Sequence, residues 1–280
     1  SQGIHLVLDQ KFLKSTDGIM IPKTDDGRVL FVLPWYDKVL MGTTDTPLNK
    51  HDLEPRALEA EITFVLNTAG RYLDQAPTRK DVQSVYAGLR PLAATDDKED
   101  KTKEISRSHK VLVAKSGLVS VIGGKWTTYR KMAEDTLTKM ISQGLLPKAD
   151  CKTVHLSIHG AAPLGDLTDP LALYGADKPL LEAFMHSSPE LATPVGGYDK
   201  LLTIQVVWAA RFEMAQTVED ILARRIRLLF TDARKAIELA APVADILAIE
   251  LGKENEAEWK ARQVAEFTAL AKGYLLQGGN

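Results

Sequence analysis

The chain has 280 residues, of which 45% are hydrophobic and 26% charged, and its formal net charge is -2. Such a composition describes an ordinary globular protein of one large or two medium domains, and its near-neutral charge gives no electrostatic argument for nucleic acid as a partner. The lone cysteine, Cys151, excludes an internal disulfide and a thiolate metal cluster, and no stretch reaches the ~20 apolar residues of a membrane-spanning helix.

In chain order, residues 1 to about 45 read as β-structure. The runs IHLVL, GIMIP, RVLFVLP and KVLMGT are short and β-rich, and turn clusters such as Thr24-Asp25-Asp26-Gly27 separate them. Their short connections predict an antiparallel sheet. Pro55 to Leu73 reads as a helix, with Pro55 in its first turn and Leu58, Ile62, Val65, Leu66 and Ala69 on one face. A strand is expected in VQSVYAGLRPL, then a charge-dense loop, TDDKEDKTKE, taken as a solvated tip.

Strands at about 104 to 114 and 118 to 123 lead to a helix from Thr127 to about Ser142, stopped near Gly144. A boundary is placed near 147 to 160, giving domains 1 to 147 and 148 to 280. Beyond about 178 helical patterns dominate: Leu180 to Met185, Leu202 to Ala215, Val218 to Phe230, Ala233 to Leu251 and Glu256 to Leu276. Thr217 and Asp220 are spaced as a capping box. The chain starts at Ser1 directly with a strand pattern, without initiating Met or signal peptide, and is read as a piece of a longer polypeptide.

GGKWTTYR, at 123 to 130, is the stretch most suggestive of chemistry. Glycines after a strand let backbone approach a ligand, and the helix that follows offers unsatisfied N–H groups with a partial positive end. Thr127 or Thr128 is placed to cap that helix, and Lys125 adds a full charge. It is neither a Walker A sequence nor a GxGxxG fingerprint, and taken alone it reads as a plain glycine-rich connection with a capping Thr and a solvated Lys. His5, Arg90 and Arg107 are polar groups inside strand patterns. Two arginines aimed at one point fit phosphate or carboxylate, while singly each fits a surface or salt-bridged residue. Cys151 reads as a small packed residue, GTTD at 42 to 45 as a polar turn, and Trp35-Tyr36 as core. Arg224, Arg225, Arg227, Arg234 and Lys235 are expected to pair with Glu219, Asp220 and Asp232 rather than to face anionic lipid.

Together SQGIHLVLD, FVLPWYDKVLMGTTD, YAGLRPL, ISRSH, GLVSVIGGKWTTYRKMAED and EMAQTVEDILARRIRLLF closely resemble the FAD-dependent glycerol-3-phosphate dehydrogenases of the respiratory type. The resemblance implies an α+β chain. It would comprise an antiparallel substrate-binding sheet with flanking helices, the last strand and helix of a Rossmann-like FAD domain at about 116 to 145, and a mainly helical C-terminal cap. The family's glycine-rich FAD-pyrophosphate turn has no counterpart in this sequence.

The resemblance further implies oxidation of sn-glycerol 3-phosphate to dihydroxyacetone phosphate, with hydride passing to FAD and electrons on to a quinone. It implies His5 as base, with Lys125 and Arg90 also catalytic, His5, Arg90, Arg107 and Lys125 as substrate contacts, and Gly123, Gly124, Lys125, Trp126, Thr127 and Thr128 against the flavin; no metal is implied. Peripheral attachment to the inner face of the cytoplasmic membrane follows from the family, and a homodimer stays open. The alternatives are an oxidase of the same superfamily that uses oxygen, for glycerol 3-phosphate or an amino or hydroxy acid, and a non-catalytic substrate and cap module. This chain alone is expected not to hold FAD.

Overall fold

The computed structural model describes residues 1–25, 27–90, 108–163, 165–253 and 255–276. The predicted charged loop, the beginning of the strand after it, and Arg107 lie outside the described residues. The chain forms two compact units, one of Ile4–Thr44, Arg56–Ala87 and His159–Asn280, the other of Ser1–Gly3, Asp45–Pro55 and Gly88–Ile158. Its architecture is α+β, with an antiparallel sheet and a helical C-terminal region.

In the first unit the apolar runs form β1 (Gln2–Asp9), β2 (Ile19–Ile21), β3 (Leu30–Trp35), β4 (Lys38–Gly42) and β5 (Val82–Leu89), ordered β2-β3-β4-β1-β5. The pairs β2/β3 and β3/β4, consecutive in the chain, are antiparallel as their short connections predict, and β1 pairs antiparallel with the non-consecutive β4 rather than with β2. Successive side chains of a strand point to opposite faces. Ile4, Leu6 and Leu8 therefore share one face, where they form a core with Val32, Met41 and the helix α1 (Glu59–Gly70) through Ile62, Val65, Leu66 and Ala69. His5 belongs to the alternate set.

The helix α1 begins four residues later than Pro55. The Glu61 carboxylate accepts the Leu58 N–H at 3.0 Å and the buried Thr44 hydroxyl at 2.7 Å, so the first turn is fixed at Leu58 and Pro55 stays outside it. Leu58 itself is exposed.

The helical region contains α3 (Lys178–Ser187), α4 (Thr203–Phe212), α5 (Leu228–Thr231), α6 (Ala233–Glu250) and α7 (Ala257–Lys272), with a hairpin of β8 (Pro194–Val195) and β9 (Tyr198–Leu202) before α4. Its core joins Val206 and Ala209 of α4, Leu228 and Leu229 of α5, Leu239, Val243 and Leu247 of α6, and Phe267 of α7. The single helix expected over Val218 to Phe230 is broken. A π-helical turn runs over Asp220–Arg225, closed by Ile226 N–H to the Ile221 carbonyl at 2.9 Å, and Arg227 then adopts φ 61° before α5. That left-handed step turns Leu228 and Leu229 into the core.

The capping box is present. Asp220 Oδ2 accepts the Thr217 N–H and Thr217 Oγ1 accepts the Asp220 N–H, each at 3.0 Å. The neighbouring basic residues are engaged within the unit, Arg224 with Glu219 and Asp220, Arg225 with Asp220 and Glu213, and Lys235 with Glu238. Asp232, expected as an ion-pair partner, instead caps α6 by accepting the Lys235 N–H at 3.0 Å. No helix of the described residues is long and apolar enough to cross a membrane.

In the second unit β6 (His109–Val113) and β7 (Val119–Gly123) form an antiparallel hairpin, and the helix α2 (Tyr129–Ser142) packs on it. The Gly144 N–H bonds the Ile141 carbonyl just past the end of α2. Leu112, Val121, Ile122, Tyr129 and Leu137 remain exposed, and α2 has no buried residue. Cys151, expected to be packed, is exposed as well: no core forms in this stretch to cover it, and its thiol sits 3.3 Å from Thr153 Oγ1.

Candidate functional site

His5 lies in the middle of β1, opposite Gly42 of β4. Its imidazole stacks on Tyr86 of the neighbouring strand β5, with ring centroids 5.4 Å apart and planes 21° from parallel. Tyr86 in turn meets Phe230 of α5 edge-on at 5.1 Å and Trp35 at 6.4 Å. Burial pushes the Tyr86 phenol up to about 12, against the opposing influence of the Arg227 charge, so Tyr86 is a neutral ring under working conditions. Trp35 and Tyr36, expected as core, are half-buried: Trp35 flanks this aromatic group, and Tyr36 takes φ 55° in the β3–β4 turn.

Arg90 follows β5 and belongs to the second unit. Its Nη1 lies 3.2 Å from Asp45 Oδ1, whose side chain is only 8% exposed, and its N–H bonds the Ser1 carbonyl at 2.8 Å. The pairing ties down one nitrogen of a guanidinium that carries five N–H donors. Asp45 is the last residue of the GTTD stretch, which thus supplies a buried partner rather than a plain polar turn.

Gly123 and Gly124 adopt φ 75° and 84°, a left-handed conformation that favours glycine. A Cβ at Gly124 would meet Met132 Sδ at 2.6 Å and His109 Cβ at 3.2 Å, so this glycine allows the turn to lie tight on α2 and β6. Lys125 is exposed and has no ion-pair partner among the described residues. Trp126 is 86% exposed and stacks on Tyr129 at 5.6 Å. A short 3-10 turn, Trp126–Thr128, precedes α2. Neither threonine caps α2 with its side chain: Thr128 occupies the cap position, but its hydroxyl donates to the Lys125 carbonyl at 3.0 Å.

Arg90 and the Gly123–Thr128 turn thus belong to one unit and His5 to the other. Sequence reasoning singled out these residues but not their supports. Tyr86, Gly42 and Asp45 carried a readable signal only as neighbours in strand or turn motifs. A cleft of about 890 Å³ in the first unit is lined by none of His5, Arg90 and Gly123–Thr128, the candidate site residues among the described ones. Among its lining cations, Lys200 is paired with Asp37 and Arg225 with Asp220, while burial raises the Glu213 carboxyl above its usual range. Among the described residues no group of three or more His, Cys, Asp or Glu is placed to hold a metal ion.

Residues 1–130 match the family model described as FAD dependent oxidoreductase, and residues 119–258 that of the C-terminal domain of alpha-glycerophosphate oxidase. The chain is therefore of the FAD-dependent oxidoreductase class. The mitochondrial glycerol-3-phosphate dehydrogenase of Schizosaccharomyces pombe is 32% identical over 95% of this chain and 48% of its own length. That of Arabidopsis thaliana is 35% identical over 98% of this chain and 47% of its own. The X-ray structure of the glycerol-3-phosphate dehydrogenase from Bacillus halodurans, complexed with FAD, superposes with a TM-score of 0.80 at 26% identity, over 98% of this chain and 57% of that one. The chain belongs to the FAD-dependent glycerol-3-phosphate dehydrogenase family, and it spans about half the length of the relatives it matches.

Proposed function

We propose that this chain supplies the substrate-binding and C-terminal portions of an enzyme that oxidises sn-glycerol 3-phosphate to dihydroxyacetone phosphate. The observation that carries the reading is the alignment with glycerol-3-phosphate dehydrogenases over at least nine-tenths of the chain. The roles of His5, Arg90, Lys125 and the Gly123-Gly124 turn rest on the sequence motifs that resemble the family's. FAD, when bound, supplies the hydride acceptor. The residues present fit its ring rather than its phosphates. An exposed cation and an exposed indole follow a tight positive-φ turn at the start of α2, and the sequence has no GxGxxG turn for a pyrophosphate.

Oxidation of the C2 alcohol removes one hydride from carbon and one proton from oxygen, leaving a carbonyl. His5 takes the proton, a task suited to an imidazole whose ordinary pKa lies near neutrality. Arg90, oriented by Asp45, and Arg107, outside the described residues, hold the phosphate and hydroxyl groups. Lys125 serves substrate and flavin edge. The exposed apolar side chains of β6, β7 and α2 fit a face that packs on the flavin-binding half of a full-length family member.

Electrons pass on to a quinone at the inner face of the cytoplasmic membrane, where the protein is peripheral. Assay of the full-length protein that carries this chain tests both points. Reduction of a quinone analogue with glycerol 3-phosphate and little peroxide supports the dehydrogenase; oxygen uptake with stoichiometric peroxide and no quinone reduction establishes the oxidase instead.

A further inference from the structure

We infer that Tyr86 is a positioning residue for the His5 imidazole, and that the helical region holds it in place through Phe230. The inference rests on the reading of His5 as the base.

The His5 ring is confined on two sides. On one, Gly42 has no side chain: a Cβ there would come within 2.4 Å of His5 Cδ2 and 2.9 Å of Cγ, so the imidazole lies directly against the β4 backbone. On the other, Tyr86 stacks on it at 5.4 Å. An imidazole bounded by a backbone and a ring has few orientations left, which a base must have if its nitrogen is to meet one hydroxyl.

Tyr86 is itself clamped by groups far along the chain. The flanking residues of β5 are bonded to the helical region, with Ser84 Oγ donating to the Leu229 carbonyl at 2.8 Å and the Val85 N–H to the Tyr274 carbonyl at 2.9 Å. Phe230, next to Leu229, presses edge-on against the Tyr86 ring and is backed by Tyr274 at 5.7 Å. Both partners of the clamp come from α5 and the segment after α7. The helical region thereby acquires a part in catalysis without touching the substrate. An offset stack on one side and edge contacts behind it bias the Tyr86 ring, and with it the imidazole, toward the observed orientation.

The test uses the full-length, FAD-loaded protein, with the His5 ring resonances assigned through His5→Gln. The ring current of Tyr86 shifts the His5 proton resonances. Tyr86→Leu is expected to abolish that shift and lower kcat about ten- to a hundredfold with little change in KM. Tyr86→Phe is expected to restore both the shift and kcat. Phe230→Leu, remote from substrate, is expected to move the His5 resonances in the same direction as Tyr86→Leu, to a smaller extent. Unchanged His5 resonances in Tyr86→Leu, or a Tyr86→Phe protein as impaired as Tyr86→Leu, overturns the inference. If Tyr86→Leu fails to fold, Phe230→Leu decides: resonances at their wild-type positions overturn the clamp. Wild-type protein inert toward glycerol 3-phosphate would remove the proposed function, and the resonances would still report whether the stack orients His5.

Discussion

At the residue scale the Arg90 charge sits beside a partner that restrains its direction. Arg90 is held by a largely buried Asp45, so Arg90→Ala leaves that carboxylate without its guanidinium and, on the proposed function, removes a substrate contact. Loss of one partner of a buried charge pair costs about 2–5 kcal/mol, and kcat/KM for glycerol 3-phosphate in the full-length protein should fall accordingly. Asp45→Asn keeps the shape and should cost less. An Arg90→Ala enzyme with wild-type kcat/KM would remove Arg90 from the site. Gly42 makes a second test: Gly42→Ala forces a methyl group into the His5 ring and should reduce kcat while the fold persists, as read by circular dichroism.

The candidate residues were readable because arginine, histidine and lysine interrupt apolar runs, or follow glycines, where packing alone does not ask for them. Their supports were not. Tyr86 alternates along β5 like any half-buried strand residue, and its clamp comes from Phe230, far away in sequence. Thr128 has the chemistry of a cap, yet the local 3-10 turn presents its own carbonyl at Lys125 to the hydroxyl first.

At the element scale, the break between Val218 and α5 is the informative feature. Apolar periodicity runs through Arg227, so the pattern reads as one helix. Burial of Leu228 and Leu229 then wins over helical continuity, and Arg227 takes a left-handed conformation. The strands were legible for the opposite reason, since each apolar run of β1 to β4 ends in a turn cluster that marks its limits.

The entry to the π-turn is held by Asp220. Burial alone would raise its pKa, but hydrogen bonds from Gln216 and Thr217 together with the Arg224 charge outweigh burial and hold the carboxyl below the ordinary aspartate range. A carboxyl with a depressed folded-state pKa stabilises fully above its unfolded pKa, near pH 4. That contribution is lost as pH falls through the depressed value. Asp220→Ala should therefore destabilise by about 1 kcal/mol at neutral pH, seen as a lower denaturation midpoint in urea, with the difference from wild type vanishing in strong acid. A difference that persists undiminished there would assign the effect to packing.

At the scale of the whole molecule, one unit joins an antiparallel sheet to a helical region, and the other holds a hairpin and helix with exposed apolar side chains. Expressed alone, it should purify colourless, because the turn that holds a pyrophosphate is absent from its sequence. Near-stoichiometric flavin absorbance in the isolated chain would contradict that expectation. The basic side chains of the helical region are largely neutralised within it, so vesicles of anionic lipid should bind this chain weakly.

The most direct measurement is anaerobic titration of the full-length, FAD-loaded protein with sn-glycerol 3-phosphate while the visible absorption of the flavin is followed. Rapid bleaching is expected, slowed by at least about a hundredfold in Arg90→Ala and His5→Gln, with dihydroxyacetone phosphate as product. Bleaching at the wild-type rate in both variants, or no bleaching by this substrate, would contradict it.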